Sequence, residues 1–369
     1  MYDDLTLLVD GKEAFPEILN CIRRAEKSIH INMFIWRDDA IGNAVAAALL
    51  DAAERGVEVS ISADRYGVVL EKSEEAKKSF FHKKQTLSEQ LKTRVLELGY
   101  PMPGAPKKAK DEVSDLYLAI LSHPNIRVSA DEFKADHSKY YIFDDEILIM
   151  GGINIEDKEN GQDMQGRVYQ DYMAKMVGRH YVEALLSGEK SSRDWFFGVN
   201  RKKPLRRFEM EGLYLDMIRA AEEKLYITMA YFSPLENFLQ AIADAHRRGV
   251  EVTVMIPEHA NYQSDSNRKT AKKLLEMTDG GITLLLSPKM LHTKLIATEK
   301  QISFGSTNLT KKAFGQLDEL NLFLKNVDCP LVQRLFSSME ENYALARRVS
   351  SPKEIHYHAL LAGIEGFLV

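Results

Sequence analysis

Two short segments carry the residues best suited to chemistry, HSKYYIFD from His137 and HTKLIATE from His292. Each places a histidine two positions before a lysine, Lys139 and Lys294. In an extended strand residues i and i+2 share a face, so each histidine is expected to project beside its lysine. Each segment is followed by a glycine-led turn ending in asparagine, GGIN from Gly151 and GSTN from Gly305. These residue types suit attack on a phosphodiester. A histidine near neutral pKa can attack phosphorus or protonate a leaving alkoxide, and two histidines can divide those tasks. Lysines supply fixed positive charge where negative charge grows on the non-bridging oxygens. The amides of Asn154 and Asn308, with the turn residues Gly152 and Ser306, can complete the phosphate cradle. A metal centre fits poorly, because lysine repels a divalent cation and no carboxylate cluster accompanies either histidine in sequence. No metal and no cofactor is therefore expected. The competing structural reading is two buried histidines satisfied by hydrogen bonds.

The elements that position these residues occur twice. AEKSIHINMF from Ala25 matches AEEKLYITMA from Ala221, and each reads as the end of a helix followed by a buried strand. RGVEVS from Arg55 matches RGVEVT from Arg248, with Gly56 and Gly249 at helix C-termini before Val-rich strands. The two His-x-Lys segments and their turns follow in the same order. Such ordered self-similarity indicates a duplicated α/β chain, each half a mixed sheet flanked by helices. The expected lobes are residues 1–205 and 206–369, with an insertion at about 67–122 in the first that is read as helical with a loop. The stretch Asp194–Phe208, DWFFGVNRKKPLRRF, mixes aromatic and basic residues and reads as a linker, either docked or offered to a membrane interface.

Composition narrows the function. The chain has 369 residues, 45% of them hydrophobic, enough for a sizeable core. Its net charge of -5 argues against a polynucleotide partner bound through overall charge. Two cysteines, Cys21 and Cys329, provide neither a disulfide framework nor a zinc-ligand spacing, which fits a reducing compartment. No apolar run approaches the roughly 20 residues needed to span a bilayer. The opening MYDDLTLLVDG lacks the basic and apolar regions of a signal peptide. The C-terminal IHYHALLAGIEGFLV is too short to span and reads as an interfacial or core-packed segment.

HSKYYIFD and HTKLIATE resemble the HxKxxxxD motifs of the phospholipase D superfamily, and GGIN and GSTN resemble the turns that follow them. The similarity covers nearly the whole chain apart from the insertion. The segments LVDGKEAF, AEKSIHINMFIWRDD and ERGVEVSISADRYG are similar to the bacterial cardiolipin synthase branch. The resemblance implies a bilobal fold with one site between the halves and a ping-pong reaction through a phosphohistidine. It implies His137 as nucleophile and His292 as general acid, with Lys139, Lys294, Asn154 and Asn308 holding the phosphate. It also implies that Asp171 and Glu319 orient the histidines. Asp144 and Glu299 close the two motifs and belong to the catalytic signature, although a structural task is expected of both. Glu299 departs from the usual Asp, which puts the second half in doubt if that carboxylate touches phosphate.

The expected activity is phosphatidyl transfer or phospholipid hydrolysis by a cytoplasmic, peripherally membrane-associated enzyme. A nuclease of the same superfamily and a non-catalytic membrane-binding scaffold are the competing readings. Headgroup, acceptor and oligomeric state are not encoded in any motif.

Overall fold

The repeated Arg-Gly-Val-Glu-Val segments show how one instruction folds twice. Helices Ala40–Glu54 and Glu236–Arg247 end at Arg55 and Arg248, and Gly56 and Gly249 follow with φ of 96° and 94°. A side chain at either glycine would be strained in this left-handed conformation. The Arg55 guanidinium donates to the carbonyls of Ile22, Arg23 and Ala25, and Arg248 donates to those of Ile218, Arg219 and Ala221. Each arginine thus caps the C-terminus of the preceding helix, Asp10–Arg24 or Met210–Ala220.

The structure, a computed structural model, describes residues 4–65, 67, 79–81, 114–130, 132–163, 166–189, 194–204, 206–325 and 327–368. Most of the insertion expected between Gly67 and Ser122 lies outside the described residues; its described end is the helix Asp115–Ser122.

The first sheet has seven strands in the spatial order Leu5–Val9, Tyr172–Val177, Ile147–Gly151, Lys139–Phe143, Ser28–Met33, Glu58–Ala63 and Ile126–Ser129. The second has nine, in the order Arg207–Phe208, Trp195–Arg201, Glu319–Leu324, Ile302–Gly305, Lys294–Thr298, Lys224–Met229, Glu251–Pro257, Thr283–Ser287 and Arg347–Val349. Removing the two edge strands of the second sheet leaves the same order and directions as in the first. In both halves three parallel strands adjoin four antiparallel ones, and the His-x-Lys strand lies at the change of direction.

Asp194–Phe208 is not a linker, because Trp195–Arg201 forms a buried strand antiparallel to Glu319–Leu324. Phe196 stacks on Phe323 with ring centroids 4.7 Å apart, and Trp195 packs on Phe197 and Tyr181. The second sheet therefore starts at this strand, ahead of the expected lobe boundary, and its aromatics serve the core, not a membrane.

The sheets face each other across a shared core. Leu148, Met150, Ala174 and Met176 of the first meet Phe197, Leu295, Phe304 and Leu322 of the second, with Leu331, Val332, Leu335 and Met339 of the helix Pro330–Leu345 packed alongside. Strand alternation feeds both sides. Ile142 enters the shared core while Tyr141 and Phe143 enter the first lobe's own core. Leu295 and Ala297 enter the shared core while Ile296 enters the second lobe's. Each fully buried Leu, Ile or Phe contributes roughly 1.5–3 kcal/mol relative to exposure, so this layer holds the halves together.

Candidate active site

The site forms where each half reaches across to the other. The strands expected to include the histidines begin instead at the lysines, Lys139–Phe143 and Lys294–Thr298. Just before them the chain pairs with the opposite lobe. His137 donates its backbone N–H to the Asp318 carbonyl (2.8 Å), and Asp318 returns one to Ala135 (2.9 Å). His292 donates to the Gln170 carbonyl (2.8 Å), and Met290 donates to Val168 (2.9 Å). In both cases the accepting residue beside the histidine, Asp318 or Gln170, immediately precedes the opposite lobe's carboxylate, Glu319 or Asp171.

That register delivers the carboxylates to the rings. Glu319 Oε2 lies 3.1 Å from His137 Nδ1 in a hydrogen bond. Asp171 Oδ2 lies 3.0 Å from His292 Nδ1, and Glu159 Oε1 lies 3.1 Å from the same nitrogen. Both contacts to His292 are ion-pair separations without hydrogen-bond direction. With a carboxylate at Nδ1, Nε2 is the ring nitrogen suited to act as a nucleophile or a proton donor. The carboxylates are themselves anchored. Asp171 accepts the Tyr172 N–H (2.8 Å), and its own N–H donates to Asp10 (3.0 Å). Glu319 accepts the Ser306 hydroxyl.

Lys139 and Lys294 are fully buried, and each ammonium donates to the backbone carbonyl of its own motif histidine. Lys294 Nζ is 3.5 Å from Asp171 Oδ2. Lys139 Nζ lies 5.1 Å from the centre of the Phe34 ring, which also meets His137 edge-on at 4.8 Å. Asn154 and Asn308 are buried, and Oδ1 of each has no hydrogen-bond partner among the described residues.

Burial dominates the electrostatics. It pushes both histidines well below the usual imidazole range, and Lys139 and Lys294 push in the same direction. Burial brings Lys139 down to about 7, helped by the neighbouring charge of Lys294. It raises Asp171 to about 7 and Glu319 to about 8, against the pull of Lys294 on the first and Lys139 on the second. An anion received between the lysines would favour their charged forms.

The remaining expected residues divide. Asp144 and Glu299 are not at the reacting centre. Asp144 accepts the backbone N–H groups of Glu26, Lys27 and Ser28, and Glu299 accepts those of Glu222, Glu223 and Lys224. Each pins the entry to the neighbouring strand, and the longer Glu side chain makes the same three contacts as Asp. Gly152 and Ser306, expected at the phosphate, lie against Asp171 and Glu319. A Cβ on Gly152 would fall 2.1 Å from Asp171 Oδ2. The corresponding position in the second half carries the Ser306 hydroxyl that binds Glu319. A short acid behind a glycine in one half matches a longer acid behind a serine in the other.

Sequence reasoning missed Glu159, Asp10 and Phe34. Glu159 shares IEDKE with two other acids. Glu156 pairs with Arg37 (2.6 Å) and Lys158 (3.3 Å), and Asp157 caps the helix Ala40–Glu54 through the N–H groups of Ala40 and Ile41. Nothing in the spacing singles out Glu159 as the member that reaches His292. Among the described residues no group of three or more His, Cys, Asp or Glu side chains is arranged to hold a metal ion.

The family model for the cardiolipin synthase, phospholipase D-like domain matches residues 18–166 and 214–342, one segment in each half. The chain is 25% identical over 370 residues to cardiolipin synthase A of Pseudomonas syringae pv. syringae, covering 93% of this chain and 69% of that protein. It is 24% identical over 369 residues to a cardiolipin synthase of Clostridium perfringens, covering 92% and 70%. Among solved structures, phosphatidylserine synthase from Haemophilus influenzae superposes with a TM-score of 0.70 at 13% identity, over 99% of this chain and 92% of that one.

Proposed function

From the premise that this chain belongs to the cardiolipin synthase, phospholipase D-like family, we propose that it is a phosphatidyltransferase that makes cardiolipin from phosphatidylglycerol. The observation that carries the reading is the pair of buried histidines, each with its lysine and each held at Nδ1 by a carboxylate from the other lobe. In this reading His137 Nε2 attacks phosphorus, the bond to the departing alcohol breaks, and the alkoxide takes a proton from His292. An acceptor alcohol then gives its proton to His292 and attacks phosphorus as the P–N bond breaks. Lys139, Lys294, Asn154 and Asn308 hold the non-bridging oxygens throughout. Glu319 and Asp171 orient the rings. No metal is needed at phosphorus, since the two ammonium groups occupy the place where a cation would act.

Water and alcohol are equally able to use the neutral His292 as base, so exclusion of water and retention of a lipid alcohol decide the product. Family membership favours the glycerol headgroup of a second phosphatidylglycerol. No helix among the described residues is long and apolar enough to cross a membrane, and the reading places the enzyme against a bilayer surface. Leu360, Leu361 and Ile364, exposed on the helix Ala359–Leu368, are apolar side chains suited to that contact.

Phosphatidylglycerol vesicles incubated with the protein should yield cardiolipin and free glycerol by mass spectrometry. Phosphatidic acid as the sole product would make the enzyme a hydrolase. Cleavage of single-stranded DNA with no action on phospholipid would overturn the substrate class.

A further inference from the structure

The two histidines are not equivalent. Among the described residues His137 Nδ1 meets one carboxylate, Glu319, which already accepts the Ser306 hydroxyl. His292 faces two, Asp171 Oδ2 and Glu159 Oε1, at 3.0 and 3.1 Å from the single nitrogen Nδ1. Counting from the turn asparagines, the residue matching Glu159 in the second half is Ala313, and among the described residues a second carboxylate meets Nδ1 at His292 but not at His137.

Two ionised carboxylates that close to one nitrogen repel each other, and one N–H cannot satisfy both. Burial and this repulsion favour a proton on one of them. Asp171 is the better anion: it accepts the Tyr172 N–H and lies 3.5 Å from the Lys294 ammonium. Glu159 is 3% exposed, and its Oε1 makes no hydrogen bond among the described residues. The charged groups acting on it are Glu156 and Asp171, which favour its protonated form, and Lys158 and Lys294, which oppose it. Burial is the largest influence and holds its carboxyl well above the usual range.

We propose that Glu159 is a positioning residue that holds the proton which moves to His292 Nδ1 as the ring delivers its Nε2 proton. The proposal rests on His292 being the general acid of the transfer reaction. Before reaction the proton rests on the Glu159 carboxyl, whose Oε1 lies 3.1 Å from His292 Nδ1. As the P–O bond breaks, His292 gives its Nε2 proton to the leaving alkoxide and the Glu159 proton moves to Nδ1, leaving Glu159 ionised. When the acceptor alcohol attacks, its proton passes to Nε2 and the Nδ1 proton returns to Glu159. The ring need not rest as an imidazolium, which agrees with the direction burial imposes on it. His137, with no such store, is suited to be the nucleophile.

The test uses the full chain and compares wild type with Glu159→Gln and Glu159→Asp. Infrared difference spectra at neutral pH should show a protonated carboxylic acid that disappears in Glu159→Gln. Kinetically, Glu159→Gln should slow attack on phosphatidylglycerol by about 10²-fold or more, the scale of a lost proton-transfer contribution. It should barely affect phosphatidyl-p-nitrophenol, whose leaving group needs no proton, and Glu159→Asp should recover part of the loss. An unchanged infrared spectrum, or equal losses on both substrates, would overturn the proposal. The infrared result is independent of lipid turnover, so inactivity of the wild type on phospholipids would count against the transferase reading and leave the stored proton to be judged by the spectrum.

Discussion

Lys139 and Lys294 are buried as a pair of like charges, and this sets the pH dependence of anion binding. Lys139 is held down to about 7 by burial and by Lys294. An anion between the two ammonium groups favours their charged forms, so binding above pH 7 requires Lys139 to take up a proton. Asp171 and Glu319, raised to about 7 and about 8, become anionic over the same range and weaken anion binding further. All three effects have one sign: affinity for an anion is highest below pH 7 and falls as pH rises through 8. Calorimetry with inorganic vanadate in buffers of different ionisation enthalpy should show tightening towards pH 6 and net proton uptake at pH 8. Affinity that rises with pH would contradict this account of the lysines.

The motif strands show how far a single signature residue can sit from the chemistry it advertises. Asp144 and Glu299 end the same motifs as the histidines but bind backbone N–H groups at the opposite ends of their strands. Those bonds hold both carboxyls below their usual range, against the opposing effect of burial. The stability they add is therefore present above the unfolded-state pKa and is lost as pH falls through the lower folded-state value. Asp144→Ala and Glu299→Ala should each cost about 1–2 kcal/mol, on the scale of a lost helix cap, and leave kcat near wild type. Denaturant melts and steady-state rates check this, and a large fall in kcat without a change in stability would place these carboxylates at the phosphate after all. The strands, the glycine caps and the His-x-Lys pairs were legible because periodicity, backbone conformation and motif spacing are local properties of the chain. The Trp195–Arg201 strand was misread because its aromatic face and adjoining basic run look alike whether they bury or meet a membrane. Only pairing with Glu319–Leu324 decides between those readings, and pairing is not local.

At the scale of the whole molecule, duplication explains why the site needs both halves. The sheets share one core, and each histidine is paired through its backbone with the residue preceding the carboxylate that the other half brings to its ring. Asp171 and Glu319 are visible in sequence as acids downstream of each motif, but the crossing of partners is not, because nothing in either half says which ring its acid will meet. Glu159 was hidden for the same reason. The proposed division of labour between two otherwise similar histidines rests on small differences between the halves: a second carboxylate beside His292, and a serine-held glutamate beside His137. The central claim is that the phosphatidyl group passes through a covalent bond to His137. It is tested most directly by mixing vesicles of phosphatidyl-p-nitrophenol, whose leaving group needs no proton, with His292→Ala, quenching under alkaline conditions that preserve phosphoramidates, and mapping the modified peptide by mass spectrometry. Without its general base the variant should resolve the intermediate about 10²–10⁴ times more slowly, and the phosphatidyl group should be found on His137. Modification of His292 in the complementary His137→Ala protein, with none on His137 in either experiment, would contradict the account.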